Sequence, residues 1–162
     1  MSVKVPIRYL PIRLTKKDRG IQAKQLLKSR RLYKTGVYYT RKTVRSFHSQ
    51  KSNHISNAQK IYHIDTITAS KELSKKTKCS IDALKKIVNK GEGAYFSSGS
   101  RPNQTAQSWG NARLASAITG GKAAVIDYSI LVEGCRANST ALKMAKNAKT
   151  KKHRTVKKYK IQ

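Results

Sequence analysis

The chain has 162 residues, with 36 Lys and Arg against 7 Asp and Glu, and a formal net charge of +29. Self-repulsion of this size opposes compaction, so we expect a polyanionic partner, with nucleic acid favoured over an anionic membrane or an acidic protein. No run approaches the roughly 20 apolar residues of a membrane span, and no apolar stretch follows the N-terminus as in a secretory signal. Cys79 and Cys135 form no disulfide framework and fit a reducing compartment.

The charge divides the chain into three stretches. Residues 1–90 hold 23 Lys and Arg and 4 acids, residues 91–135 hold 3 of each, and residues 136–162 hold 10 Lys and Arg and no acid. The domains predicted are a basic N-terminal arm and helix (1–69), a helical core module (70–148) and a basic tail outside the core (149–162). The predicted fold class is mainly α, with α+β as the alternative.

In the first 69 residues the pattern predicts one long helix between extended segments. Two prolines make residues 3–14 an extended arm, and Thr15 caps a helix that ends near Gly36. The Ser- and Asn-rich residues 46–57 are typical of a loop, and the alternation in residues 61–67 predicts a short strand.

Residues 70–90 have the pattern of a helix-turn-helix. A helix after Ser70 stops at Lys78 and Cys79, Ser80 caps a second helix, and Gly91 is expected to end it. Lys78 stands where the turn of that motif usually has Gly. Two packed amphipathic helices without DNA-reading function are the competing interpretation.

A long irregular Gly/Ser loop is predicted at residues 91–105, followed by helices at 108–119 and 139–148 around an apolar element at 125–132. Arg101, Asn103, Gln104 and Trp109 fit two roles equally. They can contact phosphates or bases, or they can brace the loop by satisfying its backbone groups.

Chemistry-bearing side chains are scattered. The seven acids stand singly, neither cysteine has a near partner for zinc, and the glycines around Glu92 lack the Lys-Ser/Thr ending of a nucleotide-binding loop. We therefore predict no catalytic residue, no metal, no cofactor and no small-molecule substrate. His54, His63 and Asp65 are interpreted as exposed side chains.

The stretches KSRRLYKTGVYYTRK, ELSKKTKCSIDALKKIVNK and GEGAYFSSGSRPNQTAQSWGNARLASAITGGKAAVIDYSILVEGC resemble an uncharacterised family of basic proteins of giant DNA viruses and tailed phages. The resemblance carries no catalytic residues. It implies a large-virus origin, and a basic protein made in quantity suits the particle, as a minor capsid or internal virion protein on the inner side of the shell. Before assembly such a protein is in the host cytoplasm or nucleus.

Three functions follow as hypotheses. The favoured one is a non-enzymatic structural protein of a large DNA virus particle that contacts nucleic acid, most simply duplex DNA, and other capsid proteins. The alternatives are a sequence-reading DNA-binding protein using residues 70–90, and a nucleic-acid-processing enzyme. The predicted nucleic-acid contacts are basic side chains of the flanks, of the second helix of the pair and of the irregular loop: Arg30, Arg31, Lys34, Arg41, Lys42, Lys85, Lys86, Arg101, Lys151, Lys152, Arg154, Lys157 and Lys158.

Overall fold

A computed structural model describes residues 3–151 and 157–161. Within them the chain is mainly α, as predicted, with 58% helix and one two-stranded sheet. The helices are α1 (Lys16–Tyr33), α2 (Asn53–Tyr62), α3 (Lys71–Thr77), α4 (Ile81–Ser97), α5 (Ala106–Ile118), α6 (Lys122–Ile126), α7 (Tyr128–Gly134) and α8 (Thr140–Lys149). The strands are β1 (Val3–Pro6) and β2 (Lys158–Ile161), and a 3-10 turn covers Ile7–Tyr9. Among the described helices, none combines the length and the apolar character needed to cross a membrane.

Several helices begin at the hydroxyl side chains that the sequence suggests. Thr15, Ser70 and Ser139 each accept a hydrogen bond from the backbone N–H three residues ahead, at 3.2, 3.1 and 3.3 Å. These caps satisfy N–H groups that the first helical turn leaves without partners. The predictions of α1, α3 and α8 are therefore confirmed.

The region between α1 and α3 differs from the prediction. Ser52 accepts the N–H of His54 and starts α2 inside the stretch predicted as a loop. Ala58 and Tyr62, four residues apart, form its buried face. The predicted strand at residues 61–67 is wrong, because α2 runs to Tyr62 and His63 then takes a left-handed conformation with φ of 50°.

The second helix of the predicted pair is longer than expected. Gly91 does not end it, since α4 continues to Ser97 and shortens the irregular loop to residues 98–105. A Cβ on Gly91 would lie 2.6 Å from the Cα of Gly110 on α5. Gly91 therefore permits the close approach of two helix backbones. In the sequence this glycine looks like a helix C-terminal cap, although its role is in tertiary packing.

The chain divides into two compact units. Unit 1 comprises the described parts of residues 1–50, 92–109 and 154–162, and unit 2 those of 51–91 and 110–153. The divisions near residues 91 and 109 fall inside α4 and α5. They do not coincide with the predicted segments, because unit 1 is assembled from three separate stretches of chain.

Unit 2 has an apolar core that includes Leu73, Leu84, Leu114, Leu131 and Leu142. Small residues on α5, α6 and α8 fill the space between these large side chains. They are Ala115, Ala117, Ala123, Ala124, Ala141, Ala145 and Ala148. Small side chains allow helices to pack closely, so a core of modest volume holds several short helices together.

Cys79 and Cys135 are joined in a disulfide in unit 2, with their Cα atoms 3.9 Å apart. The interpretation of two unpaired cysteines is thus wrong. The end of α7 and the turn before α4 lie side by side, and their backbones exchange hydrogen bonds, from Ser80 N to Gly134 O at 2.7 Å and from Arg136 N to Lys78 O at 2.9 Å. A separation of 56 residues in sequence conceals this proximity.

Unit 1 is closed by the two ends of the chain. β1 pairs with β2 in antiparallel register, with Val3 opposite Ile161 and Pro6 opposite Lys158. Ile161 is buried in a cluster with Val5, Tyr9, Leu10 and Leu26. Residues 3–6 are extended, as predicted for residues 3–14, but Val5 is buried. The prediction that the tail lies outside the core is wrong at Ile161, which shares that small core.

Candidate nucleic-acid interface

The exposed side of α1 carries a straight row of cations. Lys17, Lys24, Lys28 and Arg31 are all exposed, and the buried residues Gln22, Gln25, Leu26 and Ser29 lie on the opposite side. At 100° per residue the four basic positions fall within about 60° of one another, and at 1.5 Å per residue they span about 21 Å. We call these four residues the α1 stripe.

No salt bridge joins the α1 stripe to an acid among the described residues. In residues 3–151 and 157–161, all salt bridges converge on Asp127 of unit 2, from Lys90 and Arg113. Asp18, at the start of α1, accepts the backbone N–H of Ser46 at 2.8 Å. Hydrogen bonds from the Ser46 side chain and backbone lower the pKa of its carboxyl, and the charge of Lys17 adds to this shift. A row of like charges without salt-bridge partners attracts polyanions electrostatically.

A second set of unpaired cations lies on the two-stranded sheet. The register places Lys4 directly opposite Lys160, and the side chains of both are exposed. Like charges directly opposite on a sheet destabilise it. Lys158 is exposed on the neighbouring position of the same face. A bound anion would remove the repulsion between Lys4 and Lys160.

Arg41, predicted as a phosphate contact, is buried and bonded within unit 1. Its guanidinium donates to Ser29 Oγ, Tyr95 O and Ser100 Oγ at 3.0, 2.8 and 2.8 Å, and it stacks over the Tyr95 ring at 3.8 Å. Burial lowers the pKa of this group, and the faces of nearby tyrosines oppose the shift. Arg41 therefore holds unit 1 together and does not contact a surface ligand.

The loop at residues 98–105 is braced by its own polar residues. Asn103, at φ of 61°, accepts the Val44 N–H at 2.7 Å and donates to the carbonyls of Val44 and Phe47 at 3.0 and 2.7 Å. Gly99, at φ of 121°, has no room for a side chain, since a Cβ would lie 2.7 Å from Leu26. The bracing role therefore applies to Asn103.

Gln104 and Arg101 differ in their contacts within the loop. Gln104 accepts from Ser108 Oγ at 2.8 Å and donates to Ser49 Oγ at 3.5 Å, so it too braces the loop. Arg101 is exposed, and its guanidinium makes no hydrogen bond or ion pair within the described residues. Trp109 packs edge-on against Tyr9, with ring centroids 6.0 Å apart, so it belongs to the core of unit 1.

The other predicted contacts divide between the two units. In unit 1, Arg30 is half-buried and donates to Ser98 O at 2.9 Å from Nε and at 2.6 Å from Nη2. The exposed contacts in unit 1 are Arg31, Lys34, Lys42, Arg101, Lys157 and Lys158, and those in unit 2 are Lys85, Lys86 and Lys151. Lys152 and Arg154 lie outside the described residues.

Unit 2 reproduces the predicted helix pair with a short turn. α3 ends at Thr77, and Lys78 takes the left-handed conformation, with φ of 58°, that Gly usually supplies in this motif. Ser80 then accepts the Ala83 N–H at 3.1 Å and starts α4. Lys85, Lys86 and Asn89 are exposed along α4. Lys and Asn are side chains that contact phosphates or base edges.

Asp127 is the fully buried charge of unit 2. Lys90 Nζ lies 2.7 Å from Oδ1, while Arg113 donates from Nη2 to Oδ1 and from Nε to Oδ2, each at 2.8 Å. Burial alone would raise the pKa of Asp127, but the bonds from Arg113 and Lys90 outweigh it, so the pKa lies below its ordinary value. Asp127 thus joins α4, α5 and the α6–α7 junction. Among the described residues, no group of three or more His, Cys, Asp or Glu is placed to hold a metal ion.

A family model described as a family of unknown function (DUF5824) matches residues 6–130. The chain belongs to this family. The matched range contains the α1 stripe, the Arg41 network and Asp127, and it ends before Cys135, α8 and β2. No match was found among curated proteins or among solved structures.

Sequence reasoning missed several cations of unit 1. Lys17, Lys24 and Lys28 were not among the predicted contacts, although their spacing of seven and four residues places them on one helix face. Lys4 and Lys160 had no such signal, because a strand pairing between the two ends of a chain leaves no local pattern.

Proposed function

We propose that this protein is a non-enzymatic structural protein of a large DNA virus particle that binds packaged nucleic acid through the basic surface of unit 1. The observation that supports it most is the α1 stripe, whose four cations align on one helix face without a salt bridge among the described residues. A stripe of about 21 Å spans about six base pairs of duplex at 3.4 Å each.

The distribution of charge supports the same proposal. Unit 1 contains 19 Lys and Arg and 2 acids, a net charge of +17, and unit 2 contains 17 Lys and Arg and 5 acids, a net charge of +12. Like charges repel one another within each unit. Unit 1, which has the greater excess of positive charge, has the smaller apolar core. Neutralisation by phosphates would favour the folded state of unit 1.

The particle is proposed on the resemblance of the SSGSRPNQT, SWG and TGGK motifs to basic proteins of giant viruses and tailed phages. The structure of the loop is consistent with this role, since Asn103 and Gln104 brace it instead of forming a reaction centre. In this proposal the partners are packaged DNA and neighbouring capsid proteins, and the location is the inner side of the shell.

Quantitative mass spectrometry of purified particles tests the virion role. We expect many copies per particle, retained after nuclease treatment and washing that strip loosely bound cell proteins. Abundance early in infection together with absence from the particle would contradict the proposal. That result would indicate a viral protein that acts during infection and is not packaged in the particle.

A sequence-reading DNA-binding function is the second candidate, and the α3–α4 pair favours it. The three-residue turn from Lys78 to Ser80 and the exposed Lys85, Lys86 and Asn89 supply the general form of a reading helix. A specific reader discriminates its site from other duplexes by about 10³-fold or more. Selection from a random duplex library would yield a consensus under this function. Equal affinity for all duplexes would exclude it.

A further inference from the structure

Unit 1 exposes aromatic rings beside its cations. Tyr38 is 70% exposed and Tyr33 is 36% exposed. The Tyr38 ring lies 6.1 Å from Tyr33 and 5.1 Å from Phe96, centroid to centroid, with tilts of 38° and 35°. We call Tyr33, Tyr38 and Phe96 the aromatic platform. Val37, 48% exposed, adjoins it in sequence, so the platform is an apolar surface open to solvent.

Buried residues of unit 1 hold Phe96 of the platform in place. Tyr95 is fully buried and meets Phe96 edge-on at 5.0 Å, and its hydroxyl accepts the Arg41 backbone N–H at 3.0 Å. The carbonyl of Phe96 accepts a hydrogen bond from Ser29 Oγ of α1 at 3.1 Å. Phe96 and the residues that support it are thus held before any ligand arrives, which lowers the entropic cost of binding.

Several cations lie close to the platform in sequence. Arg31 and Lys34 lie within one turn of Tyr33 at the end of α1, and both are exposed. Lys28 lies over the ring of Tyr39, 4.5 Å from its centroid. No acid occurs between Asp18 and Asp65, and Glu92, one turn before Phe96 on α4, is the acid nearest to the platform in sequence.

We propose that the aromatic platform binds unpaired nucleotides, with bases stacked on Tyr38 and its neighbours and phosphates held by exposed cations of unit 1, of which Lys34 directly follows Tyr33. This inference rests on the proposed nucleic-acid function and specifies its ligand as single-stranded nucleic acid. Aromatic faces stack on any base, and a row of cations follows the phosphates, which is how single strands are bound without sequence preference. Bases paired inside a duplex are stacked on each other and do not present their faces.

Charge complementarity favours a nucleic acid over a protein as the occupant. A protein partner for this surface would need an acidic rim around an apolar centre, whereas a single strand supplies regular negative charge and flat apolar faces together. The α1 stripe is a separate feature, since Tyr33 lies about 160° around α1 from Arg31 at 100° per residue.

Fluorescence anisotropy with a labelled oligothymidine and a length-matched duplex tests the inference, using wild type, Tyr38→Ala, Tyr38→Phe and Ile12→Ala. Ile12 is 78% exposed in unit 1 and controls for the loss of an exposed apolar side chain. We expect Tyr38→Ala to weaken single-strand binding by about tenfold, since one stacked base contributes about 1–3 kcal/mol. Tyr38→Phe and Ile12→Ala should stay within about twofold of wild type, and duplex affinity should change by less than about twofold.

The outcomes separate this inference from the proposed function. Salt-dependent binding of both ligands with no effect of Tyr38→Ala would overturn the platform and leave the nucleic-acid function intact. An equal loss on single strand and duplex would also overturn it, since stacking of unpaired bases would not be the cause. Failure of wild type to bind either ligand at low salt would contradict the nucleic-acid function itself. Circular dichroism of each variant verifies that the fold is unchanged.

Discussion

Unit 1 and unit 2 are stabilised by different means. Unit 2 has an apolar core of leucines and alanines, a disulfide and one buried carboxylate that pairs with two cations. Unit 1 buries a smaller cluster around Leu26 and depends on a polar network centred on Arg41. No buried side-chain polar atom among the described residues lacks a hydrogen-bond partner, so both interiors are fully bonded.

The contrast shows how a very basic chain divides its tasks. Unit 2 neutralises part of its charge internally at Asp127, whereas unit 1 directs its cations outward and buries one guanidinium among neutral acceptors. Hydrogen bonds to neutral groups satisfy Arg41 without cancelling its charge. Unit 1 therefore stays strongly positive, and the predictions below test whether each unit depends on its own means of stabilisation.

Removing the disulfide of unit 2 should lower the free energy of unfolding more than any other change considered. Cys79→Ser combined with Cys135→Ser opens a loop of 56 residues, and the chain-entropy relation gives a loss of about 4 kcal/mol in free energy of unfolding. Amide hydrogen exchange should rise in residues 51–91 and 110–151 and much less in residues 3–50. A uniform rise across both units would contradict independent stabilisation.

Arg41→Ala should have the next largest effect, and in the other unit. The variant leaves Tyr95 O and the hydroxyls of Ser29 and Ser100 without a buried donor, and the expected loss is about 3 kcal/mol. Hydrogen exchange should increase at residues 3–50 and 92–109. Arg45→Ala is the matched control, because Arg45 is exposed and should change the free energy by less than about 0.5 kcal/mol. Equal effects of the two substitutions would show that Arg41 is not structural.

The helices of both units could be predicted where their signals are local. Thr15, Ser70 and Ser139 mark helix starts because a hydroxyl accepts an N–H within the first turn. The turn at Lys78 was placed correctly, although the left-handed conformation is held by Lys in place of Gly.

The features that escaped prediction are non-local. Gly91 permits a close contact with Gly110, nineteen positions later, and so does not end α4. The pairing of Val3 with Ile161 joins the two ends of the chain, and Cys79 reaches Cys135 through the packing of α7. Arg41 looks like any surface cation in the sequence, and its burial follows only from the positions of Ser29, Tyr95 and Ser100.

Acid should destabilise unit 2 through Asp127. Its pKa is lowered in the folded state, so its contribution to stability is complete above the ordinary value of 3.8 and is lost as the pH falls through the lower folded value. Denaturation followed from pH 6 to pH 2 should show this loss in wild type. Asp127→Asn should be less stable at pH 6 and should change less on acidification. Parallel curves for the two proteins would contradict the role of Asp127.

The smallest change in stability is expected at the β1–β2 sheet, and there the substitution should stabilise the protein instead of destabilising it. Lys160→Gln removes the repulsion from Lys4 and should stabilise the free protein by about 0.2–1 kcal/mol at low salt. The same variant should weaken nucleic-acid binding, because a cation of unit 1 is lost. Thermal melts and binding isotherms of one preparation measure both effects. A variant that is less stable and binds equally well would contradict an anion-binding role of this sheet.

The salt dependence of duplex binding tests the central claim, that nucleic acid lies along α1. Lys17, Lys24, Lys28 and Arg31 are changed together to Gln, and the control changes four exposed lysines of unit 2, Lys71, Lys75, Lys143 and Lys146, with the same loss of charge. At about 0.9 per phosphate contact, the stripe variant should have a slope of log affinity against log salt about three units shallower than wild type. The control should stay within about one unit of wild type. A stripe variant with the slope of wild type, or two variants with the same slope, would contradict the account.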